Sequence, residues 1–209
     1  GESTQQSGPE LIRRFILSHC AGVGDPLPDV IVRAAMAARV NVLASGVTGS
    51  RPIAADKLIQ MLNENIVPKV PAQGSVGAAG DLAPMAHIAR VVCGYSPHHP
   101  IKSPLIPTSK EALALINGVS LSAALAGIAI VRTKRVFQGA IAAAALTMEV
   151  VKAQSQCIDH RALSLRGHPE VAEVGSMLRD WLSGSLRVNE ERAPDAFSLR
   201  CGPSVMGAV

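Results

Sequence analysis

The sequence predicts a mainly α protein: a helical bundle with long helices and one Gly-rich structured loop. Two observations carry that expectation. Of the 209 residues 48% are apolar, yet aromatics make up only 2%, so Ala, Leu and Val carry much of the rest. Small apolar side chains let helices approach closely, and alanine is the strongest helix former. In addition, no alternating apolar/polar strand pattern of any length is present.

The elements follow in order. Leu11, Ile12, Phe15 and Ile16 have helical spacing, predicting a helix from Pro9 to about Cys20, ended by "AGVGDPLP". Asp29 opens "VIVRAAMAARVNVLASG", with Gly46 as its stop. A shorter helix is expected over 53–64. "NIVPKVPAQGSVGAAGD" is too rich in Pro and Gly for a regular element, and so long a structured loop inside a compact domain points to function. Asp81 is placed to cap the next helix, which continues to about Cys93. After the proline-rich "GYSPHHPIKSPLIPTS", helix resumes at Lys110, breaks near "NGVS" and runs proline-free from Leu121 to about Gln154. That stretch is apolar on nearly every face, which requires burial on several sides. A last helix is expected over 170–182. The division anticipated is 1–100, an N-terminal-type helical region with the loop at 74–81, and 101–209, the start of a long-helix bundle with part of a site wall.

Composition excludes several functions. Net charge is +4, and the densest basic group is Arg132, Lys134 and Arg135. Without a basic stripe, an aromatic platform or zinc spacing, nucleic acid is not an expected partner. Cys20, Cys93, Cys157 and Cys201 lie far apart and read as reduced thiols of a cytoplasmic protein. No signal peptide is visible. The longest strongly apolar run, Leu121–Val131, has 11 residues, too short for a bilayer, so no membrane is expected. His98 and His99 beside prolines read as a solvated turn rather than metal ligands, and no metal is expected.

The Gly-rich loop fits neither nucleotide motif. Its spacing is G-x-x-G-x-x-G after a segment containing Pro68 and Pro71, without a βαβ unit, and no Gly-Lys-Ser/Thr closes it. Instead "GSVGAAGDLAPMAHIA" resembles the signature of the aromatic amino acid ammonia-lyase family, nearest its histidine-specific members. "LSHCAGVGDPLP", "ALALINGVSLS" and "DAFSLRCGPSVMGA" follow in the family's order, so the resemblance covers nearly the whole chain.

The resemblance implies an electrophile made from backbone, with no external cofactor. In the family an Ala-Ser-Gly tripeptide cyclises and loses water to give a methylidene-imidazolone. The matching positions are Ala78, Ala79 and Gly80. Alanine has no hydroxyl to eliminate, so the group is predicted not to form here. Ser75 is no substitute, because Val76 rather than glycine follows it. Either the chain is an engineered precursor-like variant or it is a relative that has lost the electrophile.

Other roles carried by the resemblance are Asp81 as the loop acid assisting ring formation and Asn117 beside the electrophile. Ser18 and His19 would read the substrate side chain, and a histidine there can hydrogen-bond an imidazole. Arg200 would clamp the substrate carboxylate. Phe197 stands where the family has Tyr, and Pro194 where it has Gln. The family's Tyr-Gly-x-Asn-Thr-Gly-Phe-Gly segment and its C-terminal region are not in this chain, which resembles a central fragment. The parent reaction implied is L-histidine to trans-urocanate and ammonia, in a homotetramer. The alternatives are a non-catalytic structural or regulatory relative, and a lyase or aminomutase for tyrosine or phenylalanine.

Overall fold

The computed structural model describes residues 8–98, 101–188 and 194–209. His99 therefore lies outside the described residues, while His98 sits in a turn. The chain forms two compact units, divided in sequence between Ile130 and Val131.

The first unit begins with helix α1 (Pro9–His19), where Pro9 occupies the first turn and the single buried side chain is Ile16. Strand β1 (Val23–Pro26) follows, then α2 (Asp29–Ala44), which turns Val32, Ala35, Met36 and Leu43 into the core. Gly46, at φ +77°, stands just past the end of α2 as expected. Helix α3 (Ile53–Asn63) packs on α2 through Ala54, Leu58 and Met61. Strand β2 (Pro71–Gln73) pairs antiparallel with β1, Val23 opposite Gln73 and Pro26 opposite Pro71. These strands have four and three residues and contain Gly24, Pro26 and Pro71, so they have no period to reveal them.

Helix α4 (Leu82–Val92) is buried along almost its whole length. Helix α5 (Ser109–Ile116) opens with a capping box, in which the Thr108 hydroxyl accepts from the Glu111 amide and the Glu111 carboxylate accepts from the Thr108 amide. It stops because Asn117 is extended (φ −86°, ψ 128°) and Gly118 takes φ +134°, a value only glycine adopts without strain. Helix α6 (Ser120–Val150) then runs unbroken for 31 residues and passes from the first unit into the second. The stretch 109–150 is long and apolar enough, by length and composition, to cross a membrane. The 11-residue run Leu121–Val131 understated it, because the same helix continues past Arg132–Arg135 into a second apolar stretch that ends at Val150.

In the second unit Ile141, Ala145 and Met148 of α6 pack with Ile158, Val174 and Leu178. Helices α7 (His160–Ser164) and α8 (Pro169–Trp181) follow, α7 capped by the Asp159 carboxylate and α8 started by Pro169. Two short helices, α9 (Phe197–Arg200) and α10 (Gly202–Met206), end the chain. All four cysteines are free. Burial pushes the Cys93 thiol up to about 12, which leaves it unreactive.

Candidate functional site

The Gly-rich loop is built around one buried carboxylate. Asp81 is fully buried, and its Oδ1 accepts from the Ser75 hydroxyl at 2.6 Å and the Ser122 hydroxyl at 2.9 Å. Its Oδ2 accepts from the Ser122 amide at 2.9 Å. Ser122 lies in the first turn of α6, so the carboxylate sits at the positive end of that long helix. This corrects the sequence expectation: Asp81 stands at the start of α4 but makes no side-chain cap there. Its side chain turns away to cap α6.

The loop tip is a short 3₁₀ turn, Gly77–Ala79, with Ala78 and Ala79 exposed while Gly80 and Asp81 are buried. The Gly77 amide donates to the Ser75 hydroxyl, which thus ties the tip to Asp81. Gly80 takes φ +112°. That backbone conformation strains any residue with a side chain, and a β-carbon there would also crowd Asn117 Oδ1 at 3.3 Å, so glycine suits residue 80 and Asn117 lies directly beside it. The Asp81 amide donates to Gly118 O at 2.7 Å, pinning the loop to the α5–α6 break. The structure thus brings Ala78, Ala79, Gly80, Asp81 and Asn117 into one cluster.

Ser18 and His19 end α1. His19 Nδ1 lies 2.7 Å from Phe15 O, and because a carbonyl only accepts, Nδ1 carries the proton and the neutral ring keeps Nε2 as an acceptor. The ring is held against Phe15, centroids 4.7 Å apart. The Ser18 hydroxyl donates to the same Phe15 carbonyl at 2.9 Å. The chain leaving His19 enters β1, and the loop begins where β2 ends. A β-carbon on Gly74 would come within 3.1 Å of Gly22 Cα, so two glycines let the backbones touch at this junction. The Ser18–His19 pair and the loop are therefore anchored to the same strand pair.

Phe197 and Arg200 belong to the second unit. With Pro194, Cys157, Arg166 and Asp195 they line a concavity of about 550 Å³. Phe197 is exposed and, like Pro194, brings no hydrogen-bonding side chain to it. Burial raises the Cys157 thiol, with the Asp195 carboxylate adding to the effect.

Sequence reasoning missed three residues of the loop's support. Ser75 matters as a partner of Asp81, although it cannot take part in the tripeptide. Ser122 supplies two of the three bonds to that carboxylate. Arg39 is 2% exposed, and its Nη1 donates to Ala114 O at 3.2 Å and Asn117 O at 2.8 Å. A signal for Arg39 was present: it occupies the core face of α2, in step with Val32, Ala35, Met36 and Leu43.

The residues present do not fit a methylidene-imidazolone. Ring closure needs the Gly80 nitrogen as nucleophile toward the Ala78 carbonyl, and dehydration needs an oxygen on residue 79. Ala79 offers only a methyl group, and the Gly80 amide is engaged with Gly77 O at 2.8 Å. Among the described residues, no cluster of His, Cys, Asp or Glu suits a metal ion.

Comparisons with known proteins agree on the family. The family model for aromatic amino acid lyases matches residues 2–209. A histidine ammonia-lyase of Caldanaerobacter subterraneus is 39% identical, over 95% of this chain and 42% of the relative. One of Idiomarina loihiensis is 37% identical, over 96% and 43%. The chain spans less than half the length of these curated relatives. Among solved structures, a tyrosine aminomutase from Streptomyces globisporus superposes with a TM-score of 0.85 at 29% identity, over 98% of this chain and 45% of that one. A histidine ammonia-lyase from Trypanosoma cruzi gives 0.81 at 31%, over 96% and 40%. With its loop, its helical fold and its motifs in one order, the chain belongs to the aromatic amino acid lyase family.

Proposed function

We propose that the chain is the part of a histidine ammonia-lyase-type protein that carries the cyclisation loop and the side-chain-reading end of the substrate site. The parent reaction is elimination of ammonia from L-histidine to give trans-urocanate. The observation that carries this reading is the Ser18–His19 pair, tied through β1 and β2 to a glycine loop anchored on a buried aspartate. His19 keeps Nε2 as an acceptor, matched to the N–H of a substrate imidazole. Asn117 supplies an amide beside residue 80, and the family motif, rather than any placement beside the loop, assigns Arg200 of the second unit to a substrate carboxylate.

As written, the chain forms no electrophile and releases no ammonia, because residue 79 lacks the oxygen that must leave. An amino acid β-proton is too weakly acidic for a base alone, so the missing group is decisive. The working protein is a cytoplasmic homotetramer, with sites completed by segments beyond this chain.

Restoring serine tests the reading. The A79S chain, joined to the flanking segments of a relative, should lose the mass of two waters and produce the absorbance of urocanate from L-histidine. L-tyrosine and L-phenylalanine should give no product. Ammonia release from histidine by the Ala79 chain would overturn the chemistry. A folded A79S chain that loses no water would favour a non-catalytic relative, a reading that Phe197 and Pro194 also support.

A further inference from the structure

Arg39 is buried on α2 without a carboxylate paired to it among the described residues, and its Nε and Nη2 have no hydrogen-bond partner. Burial works against its cation, and the Asp81 carboxylate partly offsets that. An apolar side chain would fill this core position at lower cost, so the retained charge needs another reason. Its bonds supply one. Nη1 holds Ala114 O and Asn117 O, at the carbonyl end of α5, where a cation is favoured. The far side of the guanidinium packs on Gly118, where a β-carbon would meet Nη2 at 2.6 Å. Gly118 O in turn accepts the Asp81 amide, and four residues further on Ser122 holds the Asp81 carboxylate.

We propose that Arg39 is a positioning residue for the loop acid: by fixing the α5–α6 break at 114–118 it sets where Asp81, and with it residues 78–80, can sit. This deepens the lyase reading and rests on taking the loop as the reaction centre. It assigns Arg39 no contact with substrate.

The test is amide hydrogen exchange by NMR on the chain as it stands, in R39M and R39K variants. The Asp81 and Ser122 amides should exchange about tenfold faster in R39M, while the Ala54 and Leu58 amides of α3 stay near their parent rates. R39K keeps the charge but cannot bridge two carbonyls with a planar fork, so it should fall between. Unchanged exchange at 81 and 122 in either folded variant overturns the proposal. So does an equal rise across α3, or failure of both variants to fold, since Arg39 would then serve the core as a whole. No catalysis is read, so a failed urocanate assay leaves this outcome separately decidable.

Discussion

Asp81 is where a single atom change should be felt most. Its two oxygens accept three bonds, two from hydroxyls that can rotate and one from the Ser122 amide that cannot. Asp81→Asn removes the charge at the α6 N-terminus; its amide oxygen can keep the Ser122 amide, but its NH2 group then faces the Ser75 and Ser122 hydroxyls, which must turn from donating to accepting. The expected loss is about 2–4 kcal/mol in urea unfolding. Ser122→Ala removes one hydroxyl bond and should cost only about 1 kcal/mol. His87 is a second such position. It is buried, and burial lowers its pKa with the Arg90 cation adding to the effect. Below the ordinary histidine pKa the unfolded chain takes up a proton that the folded ring refuses. Stability therefore falls as pH drops through that window. His87→Leu should flatten this slope, checked by urea midpoints at about pH 7.5 and about pH 5.5. The motif made Asp81 legible as a residue, but the destination of its side chain was not. A cap is a local expectation, whereas Ser122 is 41 residues away and reaches Asp81 only once α5 and α6 are folded.

At the scale of elements, the α2–α3 turn is fastened to α5 by one carboxylate. Glu111 is 1% exposed and accepts from Arg51 Nε at 2.7 Å, Arg51 Nη2 at 2.8 Å, the Arg51 amide and the Thr108 amide. The Arg51 side chain holds the Glu111 pKa down to about 2, against some opposition from burial. The folded pKa lies below the unfolded one, so the stabilisation is complete above the unfolded value near 4.5 and is lost as pH falls through about 2. Glu111→Gln should cost roughly 2–3 kcal/mol at pH 7, a figure moderated by the solvent around the exposed Arg51. The gap between variant and parent should close as the pH of the urea titration is lowered from 4.5 toward 2. Helix positions were largely legible because spacing, Pro and Gly are local signals; α1, α2, α3 and α8 begin and end within a residue or two of expectation. The strands β1 and β2 were not, since their pairing joins segments almost 50 residues apart and depends on Gly22 and Gly74 touching.

At the scale of the whole molecule the question is what covers α6. Its periodicity called for burial on several sides, yet Ile130, Val131, Val136, Leu146 and Val150 are each more than half exposed in the single chain. The sequence could show that the helix needs cover but not where the cover comes from, because the described residues of this chain leave those side chains exposed. Two occupants suit an apolar helix this long: a bilayer, or further helices of the same kind. Arg132, Lys134 and Arg135 near its middle weigh against the bilayer, where each buried cation costs about 2.5–3.5 kcal/mol. They are compatible with a helical bundle, whose flanks reach water. Further copies of this helix are therefore the expected cover, as in the homotetramer proposed above. Val136→Lys together with Leu146→Lys should convert the associated form to a smaller species in sedimentation velocity, while circular dichroism keeps its helical signal. A sedimentation profile the variant leaves unaltered would remove these faces from the assembly. Recruitment of the parent chain to neutral lipid vesicles, lost in the variant, would point to the bilayer instead.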